Sequence, residues 1–148
     1  MERDLYAAEL FMNGHNCAQA VVMAFSDKIG MEPSACAKMA SSFGGGMGRM
    51  REVCGAVSGM LMVAGILYGY DTNDDDVLKK AHYARVQELA NAFREQVGSI
   101  VCREILKNPP SDPNPTPRTK VFYEQRPCTR MVMLATQIME DYISNNPI

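Results

Sequence analysis

The sequence predicts an all-α single domain: a bundle of about five helices with a central, uncharged, glycine-rich helix and a proline-rich crossing loop. Three observations predict it. Apolar residues recur at helical spacing in segment after segment. Val53 to Tyr70 carries no charged residue, which suits the innermost helix of a bundle. Residues 107–127 hold Pro109, Pro110, Pro113, Pro115, Pro117 and Pro127, most of the 8 prolines in the chain. A length of 148 residues is enough for one domain, 1–148, with a real core, and no repeat or second domain is visible.

The first helix is expected over residues 2–12, where Leu5, Ala8 and Met12 mark an apolar stripe, and Asn13-Gly14 breaks it. Asn16 is placed to cap a second helix carrying Ala18, Val21, Val22 and Phe25, ended by Gly30. Pro33 and Ser34 start a short helix through Cys36 and Met39. Val53–Tyr70 just reaches the length of a membrane span. It stands alone, however, among amphipathic segments, and Gly55, Gly59, Gly65 and Gly69 interrupt it. It is read as a buried helix whose glycines let neighbours approach closely.

Thr72-Asn73 and the acidic run Asp74-Asp75-Asp76 predict a capped helix start. A calcium loop counted from Asp71 fails, because Asp76 stands where glycine is required and His82 where glutamate is. The helix that follows is expected to run to about Leu106, loosened at Gly98, with Leu89, Phe93, Val97 and Val101 on its apolar face. The proline-rich loop follows, with a short extended piece over Lys120–Tyr123. Pro127 then opens a last amphipathic helix carrying Met131, Leu134, Ala135, Ile138 and Tyr142.

Composition excludes more than it names. A formal net charge of −2 gives no basic stripe for nucleic acid. Met1-Glu2-Arg3-Asp4 opens without an apolar leader, so a cytoplasmic location is expected, where thiols stay reduced. The 12 methionines read as adaptable core filler, leaving apolar surface that a homodimer would cover.

The 5 cysteines carry the functional signal. Cys17 follows the cap Asn16, Cys54 heads the uncharged helix, and Cys128 follows Pro127. Helix N-termini favour the thiolate, the form that attacks disulfides and binds metals. Arg49 and Arg51 precede Cys54, and Arg126 and Arg130 flank Cys128, adding cationic support. Cys102 is expected late in the long helix, away from any start. Cys36 reads as a buried apolar residue. No C-x-x-C occurs, so neither a redox hairpin nor a zinc knuckle is present. The loop Phe43-Gly44-Gly45-Gly46-Met47-Gly48-Arg49 lacks the third glycine and the preceding strand of a dinucleotide fingerprint. It is read as a tight turn that lets the Cys54 helix pack. His15 and His82 are read as structural.

Asn13-Gly14-His15-Asn16-Cys17-Ala18-Gln19-Ala20-Val21, the glycine loop, and Cys54-Gly55-Ala56-Val57-Ser58-Gly59 resemble the redox-active protein family named for its C_GCAxxG_C_C signature. The resemblance places the four family cysteines on Cys17, Cys54, Cys102 and Cys128, leaves Cys36 outside, and implies a thiol or metal role. Two chemistries follow. In one, the four cysteines are redox thiols of a thiol–disulfide or electron-carrying protein, a thiol oxidoreductase being one form of it, with an unnamed redox partner, and Arg49 supports the thiolate. Cys17 and Cys54 are then the favoured pair. In the other, the same four bind a metal, an iron–sulfur cluster or zinc. A third reading is a helical interaction module whose cysteines only pack.

Overall fold

The computed structural model describes residues 1–148 and is all-α, with one isolated bridge, Val53 to Val101, outside the helices. Its boundaries follow local capping chemistry. Helix α1 (Arg3–Met12) stops at Asn13-Gly14. Helix α2 (Cys17–Ala24) begins with a capping box: the Gln19 N–H donates to Asn16 Oδ1 at 2.8 Å, and the Asn16 N–H donates to Gln19 Oε1 at 2.9 Å. Helix α3 (Ser26–Ile29) ends at Gly30, and α4 (Pro33–Ala40) has proline in its first turn, as expected. The one-turn α5 (Gly44–Met47) is the glycine loop. Helix α6 (Gly55–Tyr68) is the uncharged segment, with Cys54 as its N-cap.

The acidic run caps the next helix, but through Asp75, whose carboxylate accepts from the Leu78 N–H at 3.1 Å. That helix, α7 (Asp76–Val97), is shorter than expected, because Gly98 takes φ 98° and ends it. The chain then runs extended to a separate turn, α8 (Cys102–Ile105). The short extended piece expected at Lys120–Tyr123 is instead helix α9 (Lys120–Gln125), begun by Thr119 Oγ1 accepting from the Phe122 N–H at 3.2 Å. Helix α10 (Cys128–Asn145) closes the fold. The count of about five helices is therefore too simple. Six helices reach eight residues, and one-turn pieces at glycines and capping residues join them.

The hub is α2 rather than the uncharged α6. Helix α2 packs against α1, α4, α6 and α10, and Val21, Val22 and the following Phe25 are fully buried against Val57, Met60 and Val63 of α6 and Val132 and Met139 of α10. The α6 glycines divide in role. A Cβ on Gly59 would lie 2.9 Å from Ala18 O, so α2 and α6 touch backbone to backbone there. Gly65 has nothing within 4 Å, and Ile66 is 52% exposed, so the outer face of α6 is open. No helix is long and apolar enough to cross a membrane.

Arg3 ties the N-terminus to this core. Its guanidinium donates to Ala24 O at 2.6 Å, Asp27 Oδ1 at 2.7 Å and Glu140 Oε2 at 3.1 Å, and it stacks 4.9 Å from the Phe25 ring centre. Arg3→Ala is expected to lower unfolding stability by about 1–2 kcal/mol in urea titrations. The Arg3 hydrogen bond holds the Asp27 carboxyl below its ordinary 3.8, so its share of stability is present above that pH. The gap between the two proteins should therefore narrow as pH falls below 3.8.

Candidate functional site

Each of four cysteines stands at the head of a helix. Cys17 is the first residue of α2, Cys54 the N-cap of α6, Cys102 the first residue of α8, and Cys128 the first residue of α10. Cys102 thus corrects the expectation of a mid-helix position, and the break at Gly98 is the reason. The Val53–Val101 bridge couples two of the heads: the Cys54 N–H donates to Ile100 O at 2.7 Å and the Cys102 N–H to Glu52 O at 2.6 Å. Cys17, Cys54, Cys102 and Cys128 all line one cavity of about 320 Å³. Cys36 does not line it; it is buried in the core under α4.

Two glycines make room for the sulfurs. A Cβ on Gly55 would overlap Cys17 Sγ and lie 2.8 Å from Phe43 O. Gly46, at φ 71°, sits where a Cβ would lie 2.7 Å from Cys102 Cβ and 2.8 Å from the Glu52 nitrogen. The glycine loop is therefore a tight turn, as expected, and it forms one wall of the cavity.

Arg49, Arg51, Arg118 and Arg126 also line the cavity, and no aspartate or glutamate does. Arg49, singled out from the sequence as thiolate support, turns toward the proline strap: it donates to Asp112 O at 2.8 Å and to Thr116 Oγ1 at 2.5 Å. The arginine that reaches a sulfur is Arg51, with Nη1 at 3.7 Å from Cys102 Sγ and Nε donating to Pro110 O at 3.0 Å. Arg51 is 4% exposed, and its Nη2 is buried without a partner. Arg118 had no local signal, standing alone among prolines. It donates to Phe11 O at 3.0 Å and His15 O at 3.1 Å, closing the C-terminal end of α1, and stacks 4.4 Å from the Phe11 ring centre. His15 contributes that carbonyl and stays outside the cavity lining. His82 lies outside the cavity lining, with Nδ1 at 2.9 Å from Arg85 Nη1.

Cys17, Cys54 and Cys128 are not the ready thiolates that helix heads suggest. Burial raises the Cys17 thiol above its ordinary range, opposed by the Gly45 and Ala18 N–H groups. Burial, and then repulsion from Cys17, raise Cys54. Cys128 is pushed up to about 12 by burial and then by Cys17, against the pull of Arg126. At Cys17, Cys54 and Cys128 desolvation outweighs the dipole and favours the protonated thiol. All the cysteines are free, the favoured Cys17–Cys54 pair included, and no three His, Cys, Asp or Glu side chains close on a single ion.

Fold and site define a helical protein in which Cys17, Cys54, Cys102 and Cys128 line one arginine-bearing cavity. The chain belongs to the family described as "Putative redox-active protein (C_GCAxxG_C_C)", whose model matches residues 15–142 and so spans all four. No curated protein and no solved structure matches the chain.

Proposed function

We propose that Cys17, Cys54, Cys102 and Cys128 hold one iron–sulfur cluster as four thiolates, and that the protein carries electrons. The observation behind this reading is the convergence of four helix-head cysteines on one cavity lined by arginines and free of carboxylates. The donor set fits: four cysteines are the usual ligands of such a cluster. The space fits as well, since Gly55 keeps a Cβ atom out of it and the cavity exceeds what one zinc ion needs. When bound, a cluster supplies reversible one-electron transfer. The chain supplies the rest. Four helix heads and the guanidinium of Arg51 offset the thiolate charge, while Phe11 and Phe122, stacked at 6.3 Å, and the proline strap limit water.

Thiol–disulfide exchange, the other chemistry read from the sequence, requires an attacking thiolate, and burial raises the Cys17, Cys54 and Cys128 thiols against forming one. The test is anaerobic reconstitution with iron and sulfide. Wild type and Cys36→Ser should bind both stoichiometrically and gain visible absorption, while Cys→Ser at any of the other four should lose most of the iron. Substoichiometric iron and sulfide in the wild type, with reversible loss of two thiols under mild oxidant, would replace the cluster by a disulfide couple.

A further inference from the structure

The arginines outnumber the negative charge at the site. Arg49, Arg51, Arg118 and Arg126 line the cavity, and one carboxylate, Asp112, meets them at the rim, 3.9 Å from Arg49 and half exposed. A four-thiolate cluster is dianionic and leaves positive charge over. Arg118 spends its donors on carbonyl groups, and Arg49 on the strap. Arg126 stacks 5.1 Å from the Phe122 ring centre, and no carboxylate pairs with it. Arg51 keeps a buried donor, Nη2, with nothing to accept from it. The Arg49 guanidinium is itself pushed below its usual range, by burial and then by the nearness of Arg51, with Arg126 adding to it. Arg49, Arg51 and Arg126, lining one cavity without carboxylates, form an incomplete arrangement. An anion completes it.

We propose that this cavity binds a small oxyanion beside the cysteines, held by Arg51 and Arg126. The redox centre then has an anionic small molecule, instead of a metal ion or an apolar compound, within reach of Cys102, the sulfur that Arg51 contacts. A planar guanidinium with one N–H on the sulfur and another free matches an oxyanion at this position. The proposal goes beyond the cluster reading and does not require it, since the arginines are in place in the thiol form.

The experiment is calorimetric titration with inorganic phosphate and with sulfate, at constant ionic strength held with chloride, on both the thiol form and the reconstituted form. Saturable binding in both forms is expected. Arg126→Gln, which breaks no hydrogen bond, should weaken it by about tenfold, and Arg94→Gln, exposed on α7 and outside the cavity lining, should leave it unchanged. Arg51→Lys should weaken it while retaining the helical circular dichroism of the wild type. Absence of saturable binding, or unaltered binding in Arg126→Gln, overturns the proposal. Binding confined to the thiol form also overturns it, because the anion would then occupy the sulfur site itself. Should the chain take up no iron, the thiol-form titration still decides the anion site, so the two readings fail separately.

Discussion

Gly55→Ala is expected to lower stability by about 3 kcal/mol and to abolish metal loading, an effect far beyond what one methyl group does at an open position. Gly55 is the first residue of α6, where α6 meets the head of α2. The added Cβ would overlap Cys17 Sγ, stand 2.8 Å from Phe43 O and lie 3.3 Å from Ala18 N. Two of these neighbours are backbone atoms fixed by their own helices, and the third is a proposed ligand sulfur. Relief requires α6 to retreat from α2, which opens the core at Val21 and Val57 and moves Cys54 away from Cys17. Gly65→Ala is the matched control. It lies on the same helix with nothing within 4 Å, so alanine there should raise stability by about 0.5–1 kcal/mol through helix propensity. Urea unfolding of the two variants, with iron content after reconstitution, separates a packing collapse from a general intolerance of alanine. Equal stability of Gly55→Ala and wild type would show that the two helix heads do not need this close approach.

The contrast between those two glycines also marks where the sequence is readable. The helical class, the Asn16 cap, the start at Pro33 and the glycine turn were all legible, because each depends on neighbouring residues alone. The resemblance to the family groups Cys17, Cys54, Cys102 and Cys128 as one set, whereas their meeting in one cavity depends on tertiary packing. Cys102 shows the difference. Its helix-head position arises from the end of α7 at Gly98 and from pairing of Val101 with Val53, a contact across the chain that no local pattern announces. Arg118 is a similar case, since its partners Phe11 and His15 lie at the other end of the sequence. The helix-head rule for thiolates failed in magnitude, not in sign. The Ala56 and Val57 N–H groups do pull Cys54 downward, but burial beside other sulfurs pushes harder. The uncharged segment misled for another reason: absence of charge permits burial on every side, but packing decides which helix receives it, and α2 did.

In the metal-free, fully reduced chain, stability is expected to fall steeply between pH 9 and pH 12. The Cys128 thiol ordinarily ionises near 9.0 and is held at about 12 in the fold. Below pH 9 both folded and unfolded chains keep the proton, and this group makes no pH-dependent contribution. Above it the unfolded chain releases the proton while the folded chain retains it, so the unfolded state is favoured increasingly until the folded thiol also ionises. The full loss from Cys128 is about 4 kcal/mol, reached near pH 12, a large part of the stability of a small domain. Cys17 and Cys54 are raised as well and act in the same direction. Urea midpoints should be flat from pH 7 to 8.5 and then decline, and Cys128→Ser should decline less steeply, which distinguishes the thiol from tyrosine and lysine titration. The reconstituted protein should lose this alkaline arm. Its ligand thiolates have already released their protons on loading, so raising the pH removes nothing further from them. A decline of equal slope in the metal-free and reconstituted proteins would mean that the buried sulfurs are not what responds to alkali.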